Sequence, residues 1–484
     1  MKLNQIIDGL EVIKTSGNIE INIENVAFDS RKVTPNTLFI CIKGFKVDGH
    51  DFIQKAIDMG AVAFLVEEDI SIDGYTFIKV EDTRASMAKV ADNFYELPST
   101  KIDIIGVTGT NGKTSISTFL TEVLELNKNK IGLVGTIKIF DGEKEIESSN
   151  TTPESLDLQK YFKQMVDNNC THCAMEVSSH SLVLKRVDEV DFKIGLFTNL
   201  TPDHLDFHKD LDDYRDAKEQ LFYKTSVANI INIDDEGGAK IYENIKNLET
   251  KAYTYAIDQE ADFMAKDIKI DASGVTYKLI TPTYEEEVFV PVPGKFTVYN
   301  TLAVIAGCYC LGIDKEIILK ALKNTSGVAG RFETVKNDKE ISVIVDYAHT
   351  PDALENILNT AREFAKGNII TVFGCGGDRD TTKRPIMGNI AQRLSNKIIV
   401  TSDNPRTEDP ELILKDIVKG LDTNNENYDI VIDRREAINN AVKMAKKGDV
   451  VIIAGKGHET YQILGTVKHH FDDKEEAKKA LDNK

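Results

Sequence analysis

Three short stretches hold most of the residues able to do chemistry. SDNPRTEDP, residues 402–410, sets Asp403, Asn404 and Arg406 directly after the apolar run NKIIV. A carboxylate, an amide and a guanidinium at a strand end suit a polar, charged ligand, and an Arg fork matches a carboxylate bidentately. The plainer role is a Pro turn capping the helix that begins EDPELILKDIV, with Arg406 in solvent. Turn and pocket are compatible, and the pocket is the reading adopted.

GVTGTNGKTS, residues 106–115, follows a strand pattern and opens a helical one. Gly109 and Gly112 permit turns that aim backbone N–H groups at phosphate oxygens. Thr110, Asn111 and Ser115 complete the loop. Lys113 supplies charge for terminal phosphates, and Thr114 has the hydroxyl that binds magnesium in such loops. The strict pattern wants glycine at 107, where Val107 stands; Gly106 comes one residue early, which makes this a lengthened variant. A simple Gly-rich turn is the bland alternative, disfavoured by the flanking strand and helix. The loop points to ATP or GTP without naming an acceptor.

In DHLDFH, His204 and His208 are spaced i, i+4, as in helical zinc sites. Leu205 replaces the glutamate of H-E-x-x-H, so zinc catalysis is the weaker reading, and His208 is expected to be solvated or capping. Lys218 lies in the helical stretch YRDAKEQLF beside Glu219, where the ordinary expectation is an exposed lysine.

These residues need elements to hold them. A chain of 484 residues is too long for one core. The composition, 41% hydrophobic and 28% charged, is ordinary for a soluble protein. No apolar run reaches the ~18 residues of a membrane span. The N-terminus lacks a secretory pattern, so the cytoplasm is expected. A net charge of −19 argues against nucleic acid or an anionic membrane as main partner. Of six cysteines, Cys170 and Cys173 form a lone C-x-x-C and Cys308 and Cys310 share an apolar helix. With no second pair at comparable spacing, reduced buried thiols are expected rather than zinc.

The apolar runs predict an α/β protein of three domains: a small α/β domain over residues 1–98, a central mainly parallel-sheet domain carrying the phosphate loop over 99–330, and a Rossmann-like doubly wound domain over 331–484. Residues 263–292 read as short antiparallel strands. In the last domain four loops follow strands, DYAHTPD, GCGGDRDTTKRP, SDNPRTEDP and GKGHETYQ, where open α/β sheets bind ligands.

TGTNGKTS with NTTP (150–153), MEVSSH (175–180), TNLTPDHLDFH (198–208), YRDAKEQLF (214–222), GRFE (330–333) and DYAHTPD (346–352) resembles the Mur ligases, ATP-dependent amide-forming enzymes of peptidoglycan precursor synthesis. The likeness runs in order along essentially the whole chain. DSRKV (29–33), GGDRD and DNPR make it most similar to the branch that adds the third residue of the stem peptide. The resemblance implies that the first domain holds the UDP part of the substrate, the second ATP, and the third the incoming amino acid. It places Ser30 and the loop KGFKVDGH, with Lys46, at the uridine diphosphate, and Asn150, Thr151, Thr152, Ser178 and Arg186 at the sugar-peptide. Asn300, Arg331, Asp346 and His349 are implied to contact ATP, with domain closure completing that site. Thr114, Glu176, His204 and Lys218, the last carbamylated by carbon dioxide, are implied to bind Mg2+. DNPR is the form associated with meso-diaminopimelate, so Asp403, Asn404, Arg406, Arg379, Gly455 and Glu459 would take that amino acid. The implied substrates are ATP, meso-diaminopimelate and UDP-N-acetylmuramoyl-L-alanyl-D-glutamate, and a monomer is expected. Alternatives are the same reaction with L-lysine, a folylpolyglutamate synthetase-like enzyme, or a P-loop ATPase switch.

Overall fold

The computed structural model describes residues 1–44, 47–148, 150–204 and 207–484. The chain forms two compact units, residues 1–263 with 302–318 and residues 264–301 with 319–484.

In the first unit a five-stranded sheet runs in the order Lys14–Ser16, Thr76–Lys79, Ala61–Val66, Thr37–Ile40, Asn25–Ala27. Only the first strand is antiparallel. Every residue of Thr37–Ile40 is buried, as a sheet covered on both faces requires. Leu38 and Ile40 pack with Met87 and Val90 of the helix Thr83–Phe94. Phe39 joins Phe64 and Phe77 on the opposite face.

A second sheet of this unit aligns Lys251–Ala256, Thr225–Asn232, Phe192–Phe197, Asp103–Thr108, His172–Glu176 and Ile131–Val134, all parallel. Lys138–Phe140 and Glu145–Glu147 continue it antiparallel. From Asp103–Thr108 the chain first winds to one side and later, at Phe192–Phe197, to the other. The carboxyl ends of these central strands therefore open a crevice at a topological switch point. The six cysteines are free, and all but Cys310 are buried, as expected for reduced core thiols.

In the second unit Phe263–Asp271, Gly274–Ile280 and Glu285–Val290 form the expected antiparallel run. A six-stranded sheet has the order Glu333–Thr334, Ser342–Asp346, Val450–Ala454, Ile369–Phe373, Lys397–Val400, Tyr428–Ile430, parallel apart from the first. Helices Pro351–Phe364, Lys383–Leu394 and Pro410–Val418 pack on one face. Arg434–Met444 and Asp473–Asp482 cover the other. This is the doubly wound arrangement predicted from the alternation of apolar runs and helical patterns. Among the described residues no helix is long and apolar enough to cross a membrane.

Candidate active site

The phosphate loop leaves its strand at Thr108 and enters the helix Lys113–Leu126. Gly109 has φ +142° and Gly112 φ +88°, conformations that L side chains rarely adopt. A Cβ at Gly109 would lie 1.8 Å from Thr198 Oγ1. The helix starts without a side-chain cap, which leaves its first-turn N–H groups for an anion. Neighbouring strand ends hold the loop: Thr110 N donates to Asn199 O (2.8 Å) and Asn111 N to Asn199 Oδ1 (2.9 Å). Lys113 Nζ folds back onto the carbonyls of Gly109 and Thr110, each at 2.8 Å.

Glu176 ends the strand beside this loop and is 1% exposed. Thr114 Oγ1 donates to its Oε2 (3.1 Å), as does Thr136 Oγ1 (3.0 Å), while Thr136 N donates to Oε1 (2.9 Å). Thr151 Oγ1 lies 3.0 Å from Thr136 Oγ1. Thr152 Oγ1 donates to Glu176 O (2.9 Å) and accepts from Ser178 N (3.1 Å). Ser178 Oγ accepts from Ser181 N, which caps the short helix after the strand. Arg186 donates to Thr152 O (2.9 Å) and pairs with Glu154 (2.8 Å), which also holds Arg84. Thr114, Glu176, Thr151, Thr152, Ser178 and Arg186 thus form one connected network. Asn150 is exposed, with its carbonyl accepting from Ser148 Oγ. Ser30 sits in a 3-10 turn of the five-stranded-sheet region, which Asp29 caps. Lys46 lies outside the described residues.

Lys218 is not the exposed lysine that its sequence neighbours predict. It is 1% exposed, on the helix Leu211–Glu219, with Nζ donating to Gly109 O at 2.9 Å and lying 4.2 Å from the centre of the Tyr214 ring. Burial pushes its pKa well below the usual lysine range, and the Lys113 charge adds to this. His208 is neither solvated nor a cap. It is 2% exposed, with Nε2 2.9 Å from Ser179 Oγ and Nδ1 3.1 Å from Asp213 Oδ2, so it ties two helices together. The His204 ring stands edge-on to His180, 4.9 Å between centroids.

In the second unit Asp346 ends its strand and accepts from Phe332 N (2.7 Å) and Ala348 N (2.8 Å). Burial raises its pKa, and the Arg331 guanidinium opposes that. Arg331 lies over the Tyr347 ring at 4.9 Å. His349 Nδ1 bonds Tyr347 O at 2.8 Å, which requires the proton on Nδ1. Asn300 is buried on the helix Lys295–Cys310.

The polar loops of the six-stranded sheet converge on DNPR. Asn404 donates to Glu459 Oε2 (2.8 Å), and its Oδ1 accepts from Ile463 N (2.9 Å) and Lys456 Nζ (3.2 Å). Asp403 is 7% exposed, yet among the described residues no hydrogen bond ends on its carboxylate. Gly455 has φ +121°, and a Cβ there would lie 2.5 Å from Asp403 Oδ2. Arg406 Nη1 donates to Gly377 O (2.7 Å); among the described residues Nε and Nη2 make no hydrogen bond. Arg379 is exposed, reaching Asp378 O at 3.3 Å. Asp409 caps the helix Pro410–Val418, so the Pro turn and the pocket coexist.

Two buried cations here were missed in the sequence. Lys456, fully buried, bridges Asn404 and Glu459. Arg384, 1% exposed, binds Glu408 through both carboxylate oxygens (2.9 Å each), Asp416 (3.0 Å) and Gly376 O (3.2 Å), which fixes the GCGGDRD loop. Lys456 stands between two residues already singled out, a signal that was available. Arg384 gave none, because its acidic partners lie 24 and 32 positions away.

Three family descriptions match in sequence order: Mur ligase family, catalytic domain (residues 22–101), Mur ligase middle domain (107–308) and Mur ligase, glutamate ligase domain (330–457). The UDP-N-acetylmuramoyl-L-alanyl-D-glutamate--2,6-diaminopimelate ligase of Clostridioides difficile (strain 630) is 69% identical over 481 residues, 99% of each chain. The identically named protein of Alkaliphilus metalliredigens (strain QYMF) is 51% identical over 98% of this chain and 96% of its own. A solved structure of a ligase of that name is similar with a TM-score of 0.75 and 31% identity, covering 100% of this chain and 99% of that one. The chain belongs to the Mur ligase family.

Proposed function

We propose that this chain is an ATP-dependent amide ligase of peptidoglycan precursor synthesis. It joins meso-2,6-diaminopimelate to UDP-N-acetylmuramoyl-L-alanyl-D-glutamate and releases ADP and phosphate. The 69% identity to a protein named for that reaction supports the class. The observation that carries the choice of amino acid is Asp403, 7% exposed, whose carboxylate takes no hydrogen bond among the described residues, three positions from Arg406, whose fork has one edge without a hydrogen bond among them. Diaminopimelate brings an amino-acid head at each end: an ammonium suits Asp403 and a carboxylate suits Arg406. Lysine would leave Arg406 without an anion, a mismatch of a few kcal/mol, roughly a hundredfold or more in discrimination.

A carboxylate is a poor electrophile, so ATP first converts it to an acyl phosphate; the amine then attacks its carbonyl carbon and phosphate leaves. Phosphoryl transfer is chiefly positioning and charge neutralisation. The first-turn N–H groups after Gly112 and the ammonium of Lys113 are assigned to that work. Thr114 and Glu176 present oxygen donors of the kind Mg2+ prefers and lie within 3.1 Å of one another. With His204 and a carbamate on Lys218 they would hold Mg2+, which supplies charge neutralisation on the phosphates. The carbamate forms when the unprotonated Nζ adds to carbon dioxide and loses a proton, and the buried setting of Lys218 favours the unprotonated amine. Ser30, Asn150, Thr151, Thr152, Ser178 and Arg186 are assigned to the UDP-sugar-peptide. The domain assignment is residues 1–98 for the UDP moiety, 99–330 for ATP and 331–484 for the amino acid.

ADP release tests the reading. It should require the UDP-dipeptide and the amino acid together; steady ADP release with neither present would instead mark a P-loop ATPase switch.

A further inference from the structure

Beneath the amino-acid loops lies a charge pair with no contact to solvent. Arg434 opens the helix Arg434–Met444, and Asp473 opens Asp473–Asp482. Both side chains are 0% exposed. Arg434 Nε donates to Asp473 Oδ1 (2.7 Å) and Nη2 to Oδ2 (2.6 Å). Two further donors go to main chain: Nη2 to Ala454 O (3.0 Å) and Nη1 to Ser402 O (3.4 Å).

Those two carbonyls belong to the residues just before Gly455 and Asp403. Their strands, Val450–Ala454 and Lys397–Val400, are not neighbours; Ile369–Phe373 runs between them. No ladder hydrogen bond therefore sets the distance between the two strand ends. Gly374, which follows the intervening strand, leaves the room: a Cβ there would meet Thr401 O at 2.1 Å and Asp403 N at 3.0 Å. Above this gap Gly455 approaches Asp403 so closely that its own Cβ would sit 2.5 Å from Oδ2.

We propose that Arg434, held by Asp473, is a positioning residue for diaminopimelate: its guanidinium clamps the main chain under Asp403 and Gly455 and so sets where the Asp403 carboxylate stands. This rests on the assignment of these loops to diaminopimelate. A guanidinium suits the task because its planar fork spends two donors on Asp473 and still reaches two carbonyls in fixed directions. A lysine at 434 keeps the charge and loses that geometry. A buried ion pair by itself is weak evidence for a stability role, since well-packed apolar replacements are often neutral. The clamp explains why the pair is built around these two carbonyls.

The test uses the full-length protein with Arg434→Lys and, separately, the double variant Arg434→Met/Asp473→Leu. Thermal melting first establishes that each is folded. Steady-state kinetics then vary ATP, the UDP-dipeptide and diaminopimelate in turn. KM for diaminopimelate is expected to rise about tenfold or more, since a shift of about an ångström at a site has effects of that order or larger. KM for ATP should change less than twofold, and the preference for diaminopimelate over lysine should fall. A folded variant with a lowered melting temperature but unchanged diaminopimelate KM and unchanged preference would overturn the inference and leave Arg434 as a prop for the last helix. Wild-type protein that does not use diaminopimelate at all would bring down the reading on which it rests.

Discussion

Lys218 and Arg434 are both basic and both shut away from water, and their surroundings differ in kind. Arg434 has a carboxylate on its fork. Among the described residues Lys218 has none within salt-bridge distance, only the Gly109 carbonyl and the Tyr214 ring. A guanidinium keeps its proton under nearly any condition, whereas a buried lysine gives its proton up readily. An amine left neutral in this way is nucleophilic toward carbon dioxide. Replacing Lys218 with Ala should lower turnover about a hundredfold or more, and Lys218→Arg should not restore it. Carbon dioxide-free buffer should slow the wild type, and added bicarbonate should bring it back. Turnover indifferent to both the substitution and the gas would remove the carbamate from the mechanism. Arg406 shows another kind of tension. Its φ of +51° costs about 1–2 kcal/mol for a residue with a Cβ. Hydrogen bonds from Arg406 N to Ile463 O and from Gly465 N to Arg406 O hold it there.

At the scale of elements, the helix Thr83–Phe94 carries a buried acid, Asp92, 4% exposed, with Lys89 Nζ 3.7 Å away. Burial pushes its pKa up to about 6, Lys89 opposes this and Glu189 adds to it. The folded value lies above the unfolded carboxyl value of about 4. The protonated form therefore favours folding, fully below pH ~4, and that contribution is lost as pH rises through about 6. Above that the charged acid costs about 2 kcal/mol, allowing for partial solvent screening. Asp92→Asn should raise the melting temperature by a few degrees at pH 8 and change little at pH 4. Equal melting of variant and wild type at pH 8 would contradict this. The elements themselves were largely legible. Buried strands such as Ala61–Val66 and Val450–Ala454 are continuous apolar runs. The phosphate loop announced itself through Gly109, Gly112, Lys113 and Thr114. The hairpin Tyr461–Leu464 with Val467–His470 went unseen, because its second strand is exposed throughout and leaves no apolar alternation to read.

For the molecule as a whole, a net charge of −19 sits beside two proposed substrates, ATP and the UDP-dipeptide, that are themselves anions. Binding must then depend on a few placed cations and on helix N-termini, such as Lys113, Arg406 and the uncapped start of Lys113–Leu126, rather than on the mean field. Long-range pairings of this sort were what the sequence hid. His208 read as solvated or capping because Ser179, its partner, lies 29 positions away. Nothing in the sequence marked Arg434, whose partner Asp473 lies 39 positions away. Motif spacing located the loops, and only folding revealed which buried charges hold them. The most direct measurement supplies ATP and the UDP-dipeptide with equal meso-diaminopimelate and L-lysine in one vessel and weighs the products by mass spectrometry. The UDP-tripeptide carrying diaminopimelate should exceed the lysine product by about a hundredfold or more. A lysine product in equal or greater amount would contradict the assignment of Asp403 and Arg406 to a two-headed amino acid.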